Sequence, residues 1–258
     1  MIEVVDVVHH YGVRPVLRSI NLRIEKGELI VIVGPNGMGK STLMGILAGM
    51  ITPVRGHVSI DGVRWRQSVQ DELALRGRTV YLPDRSWLPG LRTGREFLHA
   101  VGRVYDIDAE RIMDHANRLL DLFNLEDQAD SPIRGYSSGQ QKKIALCGAL
   151  IPETPIAFLD EPFSGGLDPA GLLALKRVLQ HRVREQGATI VLTSPVPELV
   201  EEIATRVVIL KEGQVAAFDT VRALSQQAGV AGLGNVLEQL LHAETAEKLA
   251  TYFKDGNP

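Results

Sequence analysis

The chain has 258 residues, 45% of them hydrophobic, enough for one domain with a sizeable buried core and appendages. A formal charge of -3 supplies no basic field to draw it to nucleic acid or an anionic membrane surface, and no nucleic-acid partner is expected. The single cysteine, Cys147, excludes an intrachain disulfide, MIEVVDVVHH lacks a secretion-signal pattern, and no run reaches the roughly 20 apolar residues of a membrane span. The expectation is a cytoplasmic protein whose membrane function, if it has one, another chain supplies.

Short β-branched runs predict strands at Ile2–Val8, Leu17–Ile24, Leu29–Val33, Val58–Ile60, Thr79–Leu82, Ile156–Leu159, Thr189–Thr193, Val207–Leu210 and Val215–Ala217. Their alternation with helical-period segments argues for an α/β fold with a largely parallel, buried sheet. Between Thr93 and Arg134 the pattern is helical with no strand, so a helical subdomain interrupts the sheet. From Thr220 onward the chain reads as helices with a glycine-containing break, a tail on the main domain.

GPNGMGKST (Gly34, Pro35, Asn36, Gly37, Met38, Gly39, Lys40, Ser41, Thr42) follows the strand Leu29–Val33 and precedes the helical LMGILAGM, the Walker A pattern in its confirming context. Gly34, Gly37 and Gly39 let backbone N–H groups curl around phosphate oxygens at a helix N-terminus, Lys40 reaches the β and γ phosphates, and Ser41 can ligate Mg²⁺. A glycine-rich turn with an incidental lysine is the rival, and it leaves the strand–loop–helix context unexplained. The second element is PIAFLDEP. Its apolar run puts Asp160 at the C-terminal end of a strand, where doubly wound sheets bind ligands. Asp160 would hold Mg²⁺ through water and Glu161 would polarise an attacking water; alone, the stretch reads equally as a strand closed by an acidic turn.

GYSSGQQKKIALCGALI, residues 135–151, reads as a helix start capped by Ser137, with Gly139 allowing close approach. Together with the two preceding motifs it makes residues 1–220 resemble an ATP-binding cassette (ABC) ATPase. Tyr136, Ser137, Ser138, Gly139 and Gln140 match the signature loop, with tyrosine for leucine and serine for the first glycine. The resemblance implies that this loop grips ATP held by the P-loop of another subunit, in a head-to-tail dimer with two ATP at the interface. It further implies that Tyr11 stacks on adenine, a lone tyrosine otherwise reading as packing, and that Asp168 in SGGLDP contacts the other subunit. PVRGHVSIDG, residues 53–62, resembles the turn and strand after the P-loop helix. The implied fold is a P-loop NTPase of ABC ATPase type, with a mainly parallel core sheet, an antiparallel β subdomain and an inserted helical subdomain at about 93–150. Residues 221–258 form a C-terminal helical tail, similar to exporter-type cassettes or simply amphipathic.

Two positions depart from the family. Where a glutamine usually meets Mg²⁺ and the attacking water, VYLPDRSWLPG offers Asp84, a hard oxygen ligand that cannot donate a hydrogen bond; its other reading is a turn cap. Where a histidine usually contacts the γ-phosphate, TSPVPE places Pro195, which has no side-chain donor and no N–H. ATP binding is expected to persist while turnover at this P-loop is slow. The resemblance implies an ATP-binding subunit of a membrane transporter, of an exporter class, acting with an integral-membrane permease and a second ATPase subunit, identical or different, at the inner face of the membrane. Trp87, Leu88, Leu91 and Phe97 lie where such cassettes dock a permease, or else pack the subdomain. The rival of another class is a nucleotide-dependent switch with little turnover. A P-loop kinase or GTPase lacks support: there is no guanine motif, and YSSGQQKK would be unexplained.

Overall fold

The computed structural model describes residues 1–241 and Tyr252. The chain opens with a long hairpin, β1 (Ile2–Tyr11) and β2 (Arg14–Ile24), followed by β3 (Leu29–Val33) and helix α1 (Lys40–Leu47). Next come β4 (Arg55–Ile60), β5 (Val63–Arg64), α2 (Val69–Arg78) and β6 (Thr79–Leu82). Helices α3 (Gly94–Val104), α4 (Ala109–Leu122) and α5 (Ser138–Leu150) precede β7 (Ile156–Leu159) and α6 (Pro169–Arg184). The remaining elements are β8 (Thr189–Thr193), α7 (Pro197–Ile203), β9 (Arg206–Lys211), β10 (Gln214–Asp219), α8 (Val221–Ala228) and α9 (Leu233–Leu241). Among the described residues no helix is long and apolar enough to cross a membrane.

The strands form two sheets. One is antiparallel, in the order β2-β1-β4-β5; the other runs β10-β9-β3-β8-β7-β6, parallel except for β10. Every residue of β3, β7 and β8 is buried, as expected of parallel strands covered on both faces. Along β3 the alternation of strand side chains divides the core. Ile30 and Ile32 pack with the antiparallel sheet and α1, whereas Leu29, Val31 and Val33 pack with the helices of the other face. The tail joins the second cluster through Leu224, Leu233 and Val236; its expected course through residues 242–258 lies outside the described residues apart from Tyr252.

Several elements differ from the sequence expectation. β1 reaches Tyr11, three residues beyond the predicted end, because shifts of register after Val4 and Val7 let the hairpin bend and continue. Helix α2 was not expected: it buries only Leu75, so it shows little apolar periodicity, and it is set instead by Ser68, whose Oγ accepts from Asp71 N.

Phe158, fully buried in β7, packs in the cluster that backs α1. Phe158→Ala is expected to cost about 3–5 kcal/mol and to lower the unfolding midpoint by roughly 10 °C, with Phe158→Leu much milder. Thermal unfolding followed by circular dichroism checks it, and equal shifts in both variants would contradict the packing role.

Candidate functional site

The register of the parallel sheet brings four strand ends together. Pairing sets Leu82 beside Leu159, Leu159 beside Leu192, and Ile32 beside Thr193. The residues that follow these strands, Gly34 after β3, Asp84 after β6, Asp160 and Glu161 after β7, and Ser194 and Pro195 after β8, therefore gather at one edge.

A cavity of about 630 Å³ opens there, walled by Tyr11, Asn36, Gly37, Gly39, Lys40, Ser41, Thr42, Asp84 and Glu161, with Arg14 and Val16 from the hairpin. Tyr11 stands 58% exposed at the tip of β1, its ring resting edge-on against His9 with 4.8 Å between centroids and much of it left open to the cavity. The loop from Gly34 enters α1 through Gly39 at φ 93; a Cβ there would lie 2.9 Å from Leu17 Cδ2 and 3.0 Å from Val16 O. Only glycine fits both the backbone and the space. Lys40, 7% exposed, donates from Nζ to Gly34 O at 2.7 Å and Pro35 O at 3.1 Å, wrapping the loop around its own ammonium. Burial holds its pKa below the usual lysine value, and Glu161 and Asp160 oppose that shift. Met38, at the outer turn of the loop, faces a neighbouring hollow.

Behind the cavity, Asp160 is 2% exposed and anchored. Its Oδ1 accepts from Thr193 Oγ1 at 2.6 Å, and its N–H donates to Leu82 O at 2.8 Å. Thr193 Oγ1 in turn accepts from Glu161 N at 2.7 Å. Glu161 has φ 46, a left-handed backbone costing a side-chain-bearing residue roughly 1–2 kcal/mol. Besides Thr193, Lys142 Nζ and Ser164 Oγ hold it, both donating to Glu161 O at 2.8 Å. Lys142 is 9% exposed; burial lowers its pKa, with Asp84, Glu161 and Asp160 opposing. The acidic character of this corner also shows at Tyr81, whose phenol is pushed up to about 12 by burial, then by Asp160 and Asp84.

The signature residues lie elsewhere: none of Ser137, Ser138, Gly139 and Gln140 walls the cavity. Ser137 and Gln140 form a capping box at α5, Gln140 N donating to Ser137 Oγ at 3.3 Å and Ser137 N to Gln140 Oε1 at 2.9 Å. The tyrosine at the signature's first position is buried, its hydroxyl donating to Gln128 O at 2.5 Å. A Cβ on Gly139 would come within 2.7 Å of Gly166 O, so this helix start sits tight against the loop leading to Asp168. Asp168 caps α6 through Gly171 N at 2.8 Å and pairs with Lys143 Nζ at 2.9 Å; the lysine bond, then the Gly171 N–H, holds its carboxyl below the usual range. Pro195 is exposed and not among the cavity walls. Of the aromatic and leucine side chains after Asp84, Trp87 and Leu91 are 85% and 79% exposed, and Leu88 and Phe97 pack against the core.

Thr193, Lys142 and Lys143 escaped the sequence reading. A threonine ending a buried strand and two lysines after QQ look like ordinary strand and surface residues; the remaining signal was that α5 shows no polar face to keep its lysines in water.

Hard oxygen donors at Ser41, Asp84 and Asp160 and a glycine-rich N–H cradle suit a polyphosphate with a divalent cation. Among the described residues no cluster of three or more His, Cys, Asp or Glu could by itself hold a metal ion.

The family model described as ABC transporter matches residues 17–164. The daunorubicin resistance ATP-binding protein DrrA3 of Streptomyces coeruleorubidus is 32% identical over 219 residues, covering 85% of this chain and 68% of that protein. The cytochrome c biogenesis ATP-binding export protein CcmA of Xylella fastidiosa is 32% identical over 77% of this chain and 85% of its own length. Among solved structures, an ATP-binding subunit of an ABC transporter superposes with TM-score 0.85 at 29% identity, covering 93% of this chain and 99% of that one. A dimeric, post-hydrolysis ATP-binding cassette bound to ADP and Pi gives 0.77 at 26% identity, over 85% and 98%. With the nucleotide-sized cavity built from its Walker A loop, this chain belongs to the ABC transporter family as an ATP-binding subunit.

Proposed function

We propose that this subunit binds MgATP in the 630 Å³ cavity and couples ATP-driven dimerisation to transport through an integral-membrane permease, with slow hydrolysis at its own P-loop. The observation that carries this reading is the convergence of Tyr11, Lys40, Ser41, Asp84 and Glu161 on one cavity with Asp160 anchored behind it. Tyr11 stacks on the adenine. The N–H groups of residues 34–42 and Lys40 hold the phosphates, Lys40 exchanging loop carbonyls for phosphate oxygens. Ser41, Asp160 through water, and Asp84 would hold Mg²⁺, which when bound neutralises charge on the β and γ phosphates. Glu161, kept in its left-handed backbone by Thr193, Lys142 and Ser164, orients and polarises the attacking water. Ser137 to Gln140 and Asp168 do not wall this cavity, which leaves them to serve a partner's ATP.

Trp87 and Leu91 form an exposed apolar site for the permease, which would hold the subunit at the inner face of the membrane. An exporter role is supported by the export protein among its relatives. With a different ATPase partner that carries its own histidine, the site using this chain's P-loop is impaired and the site using its signature loop competent; a homodimer has two impaired sites. Pro195 and Asp84 favour one second reading, a nucleotide-dependent switch with little turnover.

ATP titration of the purified chain tests the site. Wild type binds ATP in the presence of Mg²⁺, and Lys40→Ala weakens binding by at least about tenfold. Glu161→Gln accumulates an ATP-dependent dimer on size-exclusion chromatography, alone or with its co-purified partner. ATP affinity indifferent to Lys40 would overturn the assignment.

A further inference from the structure

A second cavity, of about 380 Å³, lies between α4, the last turns of α6 and the turn joining α5 to β7. That turn precedes β7, whereas Asp160 follows it, so this cavity and the nucleotide cavity belong to opposite edges of the sheet. Its lining combines two chemistries. Leu119, Leu122, Leu150 and Val178 give it apolar walls, while Arg118, Arg177 and Arg182 bring three guanidinium groups against one carboxylate, Glu153. Even that carboxylate is engaged, pairing with Arg111 Nη2 at 2.8 Å.

Arg182 is the telling residue. It is 4% exposed, and its Nη2 donates to Thr154 O, yet its Nε and Nη1 lie buried with no hydrogen-bond partner. An arginine keeps its charge at any ordinary pH, and a buried charge is tolerated when paired and hydrogen-bonded. Here the pairing is incomplete, in a cavity that already carries an excess of positive charge.

We propose that this cavity binds a small organic anion, a carboxylate or phosphate head on a short apolar body, with Arg177 and Arg182 taking the head and the leucines the body. Turning the Arg182 guanidinium about its last torsions exchanges the Thr154 bond for bonds to the head, in the bidentate geometry that guanidinium offers to carboxylate and phosphate. None of these residues walls the nucleotide cavity, so the site is separate from ATP binding.

Two histidines in the lining, His115 on α4 and His181 on α6, report on occupancy. Burial first, then the Arg118 and Arg111 guanidiniums, holds His115 below the usual histidine value, against the pull of Glu153 and a backbone bond at Ile151. His181, Arg177 and Arg182 face it from α6. A bound anion adds negative charge beside it and raises its pKa.

The test uses the full chain saturated with ADP, so that the phosphate loop is filled, and follows the His115 and His181 ring resonances by NMR. Sodium octanoate and inorganic phosphate are titrated separately. The expected result is a saturable shift at about millimolar concentration with at least one of them, and an upward move of the His115 pKa. Octanoate alone acting identifies a carboxylate amphiphile; phosphate acting identifies a phosphate head. Arg177→Gln, at an exposed position, weakens the response at least tenfold without moving the unfolding midpoint, and Arg182→Met abolishes it. No saturable shift with either probe up to about 10 mM, or shifts unchanged in Arg177→Gln, overturns the proposal.

Discussion

Pro195→His is expected to raise the ATP turnover of this subunit by roughly 100-fold, with ATP affinity unchanged within about threefold. Thr193, two residues earlier, is fixed by hydrogen bonds to both Asp160 and Glu161, so the segment after β8 starts at the two carboxyl residues proposed to hold Mg²⁺ and to polarise water. A preorganised donor to transition-state charge is commonly worth about 10²–10³ in rate, and proline supplies none. The backbone accepts the change. Pro195 is exposed, Val196 N bonds to Ser194 Oγ at 3.2 Å on one side of it, and Pro197 opens α7 on the other, so the neighbours hold the turn. The ground-state contacts proposed for ATP come from Lys40 and the loop amides, which the substitution does not touch. Steady-state kcat at saturating MgATP, with ATP affinity measured separately and Pro195→Ala as control, checks the expectation. A histidine variant no faster than the alanine control shows that the missing donor was never limiting.

What could be read from the sequence divides along physical lines. The Walker A loop was readable because its chemistry is contiguous: strand, glycine loop, lysine and helix start occupy one stretch of 14 residues, 29–42. The buried strands were readable because parallel strands covered on both faces need unbroken apolar runs, and β3, β6, β7 and β8 lie where those runs predicted. What stayed hidden is long-range. The bonds from Glu161 to Thr193 and to Lys142 cross 32 and 19 residues, and no local pattern announces either. Lys142 and Lys143 give no local sign of their role, because lysines in a polar run look like any solvated face, and here both side chains are buried to meet Glu161 and Asp168. Tyr11 was legible only through the family resemblance, since a lone tyrosine after a strand reads as packing; the hairpin, with its shifts of register, brings it to the wall of the cavity.

Thr193→Val should separate the fold from the site most sharply. The substitution keeps the shape of a fully buried strand residue and removes one hydroxyl that serves two partners, donating to Asp160 Oδ1 and accepting from Glu161 N. Asp160 is then a buried carboxylate without that donor, and leaving a buried charged acceptor short of its partner costs about 2–4 kcal/mol. At about 2–4 °C per kcal/mol for a chain of this size, the unfolding midpoint falls by roughly 10 °C. The left-handed backbone at Glu161 loses the tie to its N–H at the same time, so kcat falls more than the loss of folded protein explains. Thr193→Ser keeps the hydroxyl and gives up only a methyl, at a cost of about 1 kcal/mol. Unfolding midpoints and ATPase rates of the two variants, measured well below both midpoints, check this. If valine and serine lower stability equally, the lost packing and not the hydroxyl bridge is what matters at this position. If valine destabilises but leaves kcat intact, the bridge supports the fold of the strand ends and Glu161 finds its orientation from Lys142 and Ser164 alone.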